Sequence, residues 1–157
     1  VSLHTWDYIG RIVSLLGNIT VANGYHTNAG LLVTREPAQI ELDDPERIVV
    51  LLDSMRQPED PAMRKLGLQL VVAIVGQVKK DLTNPQLRMH QMAADIHRAM
   101  GDHALRVAHF APGQEWPVPQ FIESSVVPAA EGMNWIGAAA RYTATVRLRT
   151  TPTTPIT

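Results

Sequence analysis

Cysteine is absent from this chain of 157 residues. That excludes a thiol nucleophile, a disulfide framework, an iron–sulfur cluster and any cysteine zinc site. Charge of one sign is lacking as well: 14 Lys and Arg stand against 15 Asp and Glu, a formal net charge of −1. No global positive field is therefore present of the kind that non-specific binders of nucleic acid or membrane surfaces rely on. Aromatic residues make up only 5% of the chain, too few to interleave with cations as a single-strand-binding sheet requires. The longest apolar run, residues 70–75, is far shorter than the ~20 residues that span a bilayer, so a soluble protein is expected, with no membrane partner. The N-terminus carries Asp7 and no basic segment followed by an apolar one, so it does not read as a secretory signal. No repeat of 20 to 50 residues is found, which argues against solenoids and propellers.

What is present is ordinary for one globular domain: 45% hydrophobic residues in a chain long enough to bury roughly 70% of its unfolded surface. A first helix is predicted over residues 5–18, with Ile9, Ile12, Val13 and Leu16 in one stripe. Thr5 or Asp7 is positioned to cap it, and Gly17-Asn18 to end it in the left-handed region. Residues 23–30 are dense in turn formers and read as an irregular loop. Strands are expected at 31–34, 48–52 and 68–78. The latter two are near-continuous Val, Ile and Leu runs, which suits strands covered on both faces. Between them, residues 53–64 hold Pro58, Pro61 and several charges, and read as a long contact loop.

The second helix has Asn84 as cap, Pro85 at its first position and Gly101 just past its end. Met89, Met92, Ala93, Ile96, Ala99 and Met100 form its buried stripe, with Arg88, Gln91, Asp95 and Arg98 opposite. Residues 111–119 hold three prolines and Trp116, and strands resume at 121–127 and 138–149. In the last strand Tyr142, Ala144, Val146 and Leu148 alternate with Arg141, Thr143, Thr145, Arg147 and Arg149, giving a core face and a basic face. This order predicts an α+β fold: an antiparallel or mixed sheet of four to five strands with two main helices on one face, forming a single domain over residues 1–149. Residues 150–157 are expected to be an extended or disordered tail.

Signals for catalysis are weak. Six histidines, at 4, 26, 90, 97, 103 and 109, lack metal-ligand spacing, since His90 and His97 lie roughly 10 Å apart along one helix. No Gly-x-Ser-x-Gly elbow occurs, and no glycine-rich phosphate loop. Asp43-Asp44 and Glu59-Asp60 sit in polar turns, where solvated charge is ordinary. No catalytic residue, cofactor or metal is assigned, and the profile favours a non-enzymatic assembly subunit.

The order of elements is similar to that of tail terminator and tail completion proteins of tailed bacteriophages. The resemblance runs from about residue 8 to 149. It rests on Ile19-Thr20-Val21-Ala22-Asn23-Gly24-Tyr25-His26-Thr27-Asn28-Ala29-Gly30, on the Asn84-capped helix with Ala94-Asp95-Ile96, and on the closing Ala140-Arg141-Tyr142-Thr143-Ala144-Thr145-Val146 strand. Only the Asn-Gly-Tyr-x-Thr-x-x-Gly segment is a specific local motif. The resemblance implies a homohexameric ring at the head-proximal end of the tail tube, located in the virion and assembled in the host cytoplasm. Such a ring stops tube polymerisation, binds the tube protein on one side and a head-tail connector or neck protein on the other, and meets DNA only in transit. Strands 121–127 and 138–149 are expected to line or close that ring. The loop at 53–64 is expected to touch the tube or neck. Interface candidates are Arg56, Glu59, Asp60, Arg64, Trp116, Arg141, Arg147 and Arg149. Two other roles fit the same sequence: a head completion or neck connector of the same particle, and a small ligand-binding or hydrolytic enzyme.

Overall fold

The computed structural model describes residues 4–36, 46–58, 61, 67–110, 116–127 and 132–147, with His4 and Arg147 as backbone only. Helix α1 (His4–Leu16) places Tyr8, Ile9, Ile12, Leu15 and Leu16 on one stripe, all buried. Thr5 and Asp7 lie inside its first turns, so neither is the cap. Gly17 and Asn18 do not turn left-handed either. Instead, the Asn18 and Ile19 amides donate to the Leu15 and Leu16 carbonyls, and the helix ends by tightening.

Two single 3₁₀ turns, Val21–Asn23 and Ala29–Leu31, organise the turn-rich stretch that leads into β1 (Val33–Thr34). Strands β2 (Glu46–Arg56) and β3 (Gly67–Lys79) follow, then α2 (Pro85–Gly101), α3 (His103–His109), β4 (Gln120–Val127) and β5 (Trp135–Arg147). The strands form one sheet in the order β1-β2-β3-β5-β4. β1 runs parallel to β2 and every other pair is antiparallel, so the sheet is mixed and the fold is α+β.

Alternation sorts the sheet into two faces. Ile48 and Val50, Leu70, Val72 and Ile74, and Ala138, Ala140, Tyr142 and Ala144 join the stripes of α1 and α2 in one core. On the other face Val49, Val71, Ala73 and Ala139 are also buried, as unbroken apolar runs require. Among the described residues no helix is long and apolar enough to cross a membrane.

Four further expectations change. β2 continues through Asp53 to Arg56, because a bulge between Leu52 and Ser54 absorbs the polar residue and pairing resumes at Ser54 with Val71. The start of the expected contact loop is therefore strand. Asn84 does precede α2, but it acts through a left-handed backbone (φ 55°) and its side chain makes no capping bond. Gly101 is the last residue of α2. Asp102 closes that helix and caps α3 by accepting from the Leu105 amide, so one residue joins two helices. Helix α3 adds to the two main helices expected: seven residues with two histidines and no long apolar stripe carry little periodic signal.

Candidate functional site

Among the described residues β4 is a free edge of the sheet. Its one partner there is β5, and every residue from Gln120 to Val126 is exposed. Phe121, Ile122 and Val126 leave 47%, 44% and 62% of their surface to solvent. A bulge at Ile122 lets Phe121 oppose Tyr142 and Glu123 oppose Arg141. The Phe121 ring packs edge-on against Tyr142 and His97 at 5.5 and 5.1 Å. The edge carries three exposed apolar side chains and neither lysine nor proline, although the bulge at Ile122 and the charge of Glu123 partly guard it against strand addition.

The opposite edge is β1, only two residues long, preceded by Leu31 with 75% of its surface exposed. The register ties the two edges together. Val33 pairs with Ile48, Ile48 with Gly76, Gly76 with Ala138 and Ala138 with Val126. Val33 is thus level with Val126, and Thr34, through Val49, Val75 and Ala139, with Ser125.

At the start of β4 a cavity of about 200 Å³ opens between α2 and the sheet, lined by His97, Met100, Arg106, Phe121 and Tyr142. The Tyr142 hydroxyl is buried there without a hydrogen-bond partner among the described residues, and burial pushes its pKa up to about 12. A buried orphan hydroxyl costs about 1–3 kcal/mol. Tyr142→Phe should therefore raise Tm by about 2–4 °C, corresponding to about 1 kcal/mol recovered in a domain of this length. Thermal unfolding followed by circular dichroism reads this, and a lowered Tm would mean that the hydroxyl has a partner in solution.

The Asn-Gly-Tyr-x-Thr-x-x-Gly segment is a structural cradle. Asn23 donates through Nδ2 to the Asn18 carbonyl, and Gly24 takes the left-handed conformation (φ 89°). The Tyr25 ring lies under the Arg98 guanidinium at 4.7 Å, while Arg98 donates to the Gly24 carbonyl. Thr27 is held by Asp95, whose carboxylate accepts the His26 amide, the Thr27 amide and the Thr27 hydroxyl at 3.0, 2.8 and 2.8 Å. Asp95 is fully buried, contrary to its expected place on the outer side of α2. Three donors compensate the desolvation that would otherwise keep a carboxylate at the surface. Glu46, also buried, pairs with Arg88 at 3.2 Å, yet burial outweighs that cation and holds its carboxyl above the ordinary glutamate range.

Of the interface candidates, Arg56 is exposed at the end of β2. Trp116 is half-buried, stacked on Tyr8 at 6.2 Å with the Arg11 guanidinium 4.4 Å above it. Arg141 sits between Asp53 (3.5 Å) and Glu123 (3.6 Å), so the face expected to be basic is locally neutralised there. Arg147 is described by its backbone alone, and Glu59, Asp60, Arg64 and Arg149 lie outside the described residues, as do residues 150–157. The described candidates do not converge on one patch with β4: only Arg141 contacts it. His90 and His97 are both exposed, and the described residues hold no group of three or more His, Asp or Glu that could bind a metal ion. No protein-family model matches the chain, and no curated protein matches it in sequence.

Proposed function

We propose that this chain is a structural virion subunit, a tail terminator that forms a homohexameric ring on the head-proximal end of a phage tail tube. The observation that carries the reading is the edge β4, unpaired among the described residues and exposing Phe121, Ile122 and Val126, which differs from the short edge β1. β4 runs antiparallel to β1, so copies set side by side by rotation about an axis along the strands bring β4 of one against β1 of the next as an antiparallel pair. Without stagger, Val33 meets Val126 and Thr34 meets Ser125, apolar on apolar and polar on polar. Unlike edges make a head-to-tail contact, which gives a ring when the rotation closes and an open filament when it does not, whereas a self-complementary edge makes a dimer. The ends of such a ring differ: one matches the last tube subunits, and the other accepts a neck protein and refuses further tube. That asymmetry stops polymerisation.

Val126→Lys tests it. A charge near the end of the edge, level with Val33, should leave the folded monomer intact, because the side chain is already exposed. Native mass spectrometry should then read monomer in place of ring. Particles made with the variant should carry overlong or ragged tails by electron microscopy. A variant that assembles like the wild type and yields normal tails would overturn the reading. Full heads beside normal unattached tails would assign the chain to the head side of the connector.

A further inference from the structure

We infer that the cleft between α1 and the end of α3 binds a phosphate-type oxyanion. The cleft is a cavity of about 410 Å³ bordered by Asp7, Gly10, Arg11, Ser14, Arg35 and His109. None of these residues belongs to β4, and Arg35 directly follows β1.

Two arginines face it in fixed orientations. Arg11 stacks on Trp116 at 4.4 Å and donates through Nη1 to the His109 carbonyl at 2.9 Å. Arg35 stacks on Trp6 at 4.0 Å and donates through Nη1 to the Trp6 carbonyl at 3.1 Å. Each guanidinium is thus held by an aromatic face and one backbone acceptor, with most of its five N–H donors still to spare. Neither is ion-paired among the described residues, whereas Arg88 and Arg141 are. Gly10 completes the arrangement. A Cβ there would collide with the Arg35 guanidinium, so the bare helix backbone is the seat on which that side chain lies.

Two oriented guanidiniums in one cavity, without an ion pair among the described residues, match the planar forks that phosphate oxygens accept. The Ser14 hydroxyl adds a donor at the border. His109 Nδ1 lies 2.9 Å from the Leu105 carbonyl, which can only accept, so Nδ1 donates to it. Asp7 is the one carboxylate among the described residues of the cleft and opposes the ligand.

The ligand source is either a free phosphate group or a nucleic-acid backbone, and two titrations of the full chain at matched ionic strength separate them. One uses inorganic phosphate and the other single-stranded octathymidylate. Saturable one-to-one binding is expected. Arg11→Gln and Arg35→Gln should each weaken it on the order of tenfold, the loss of one charge-assisted contact. Asp7→Asn should tighten it. Gly10→Ala keeps every charge and favours the helix, so Tm should hold or rise while binding weakens as Arg35 is displaced. Lys80→Gln, an exposed cation elsewhere, should leave binding unchanged. Tighter binding of phosphate assigns a free phosphate group, and tighter binding of the oligonucleotide assigns a backbone; either upholds the site. Absence of saturable binding to both, no effect of the two arginine variants, or equal weakening by Lys80→Gln would overturn it.

Discussion

Asp95→Ala should lower Tm by about 10 °C, the loss of about 3–5 kcal/mol in a domain of this length. The carboxylate accepts three hydrogen bonds, from the His26 amide, the Thr27 amide and the Thr27 hydroxyl. Both Asp95 and Thr27 are fully buried, so water cannot replace the lost acceptor without opening the loop. Bonds to a charged acceptor contribute more than neutral ones, and their loss leaves the Thr27 amide unpaired in an apolar surround. Asp95→Asn should fall between the two, because its amide retains one acceptor but turns two N–H donors toward donors that are already there. Denaturant or thermal unfolding of the three proteins reads the order. If Asp95→Ala matches the wild type, Asp95 does not anchor the loop. Because the loop leads from α1 into β1, its release should also loosen the β1 edge, making ring formation the second readout under the proposed function.

Gly30→Ala should cost about 3 kcal/mol, the upper range for overpacking. A Cβ on Gly30 would fall 2.6 Å from the Leu16 carbonyl oxygen and 2.7 Å from both the amide nitrogen and carbonyl oxygen of Ile19. These are backbone atoms at the end of α1, and they cannot rotate aside as a side chain would. The Gly30 amide donates to that same Ile19 carbonyl at 2.8 Å, so the contact that forbids a side chain also fixes the loop to the helix. Gly76→Ala provides the contrast. There the Cβ would meet the flexible end of Met92, which can move, so a smaller loss is expected. Comparable destabilisation by the two substitutions would show that Gly30 is not held by close backbone approach.

The two predictions converge on the one specific motif of the sequence, and they change what the motif means. Each of its fixed residues has a structural role. Asn23 and Gly24 turn the chain, Tyr25 is a platform for Arg98, Thr27 is the donor to Asp95, and Gly30 permits close packing. The motif therefore specifies a way of joining α1 to β1.

Much of the fold is legible in the sequence because it is periodic. The stripes of α1 and α2, the double-sided burial of β2 and β3, and the alternation of β5 all follow from spacing that residue identity carries directly. Asp95 escapes that logic because its helical position is on the flank of the stripe and its charge reads as solvent-facing. Its three donors come from a loop nearly 70 residues earlier in the chain, and local pattern cannot supply them. Arg141 reads as part of a free basic face for the same reason, since its partners Asp53 and Glu123 arrive from two other strands.

The sequence by itself determined the class of fold, the order of its main elements and which strands are covered on both faces, since these depend on the spacing of apolar side chains along short stretches of chain. Tertiary structure alone decided that β4 is a free edge among the described residues with Phe121, Ile122 and Val126 exposed, that Val33 stands level with Val126, and that Arg11 and Arg35 border one cleft. Strand order, register and the meeting of distant charges arise from how elements pack across the whole sheet, and no local run of residues encodes them.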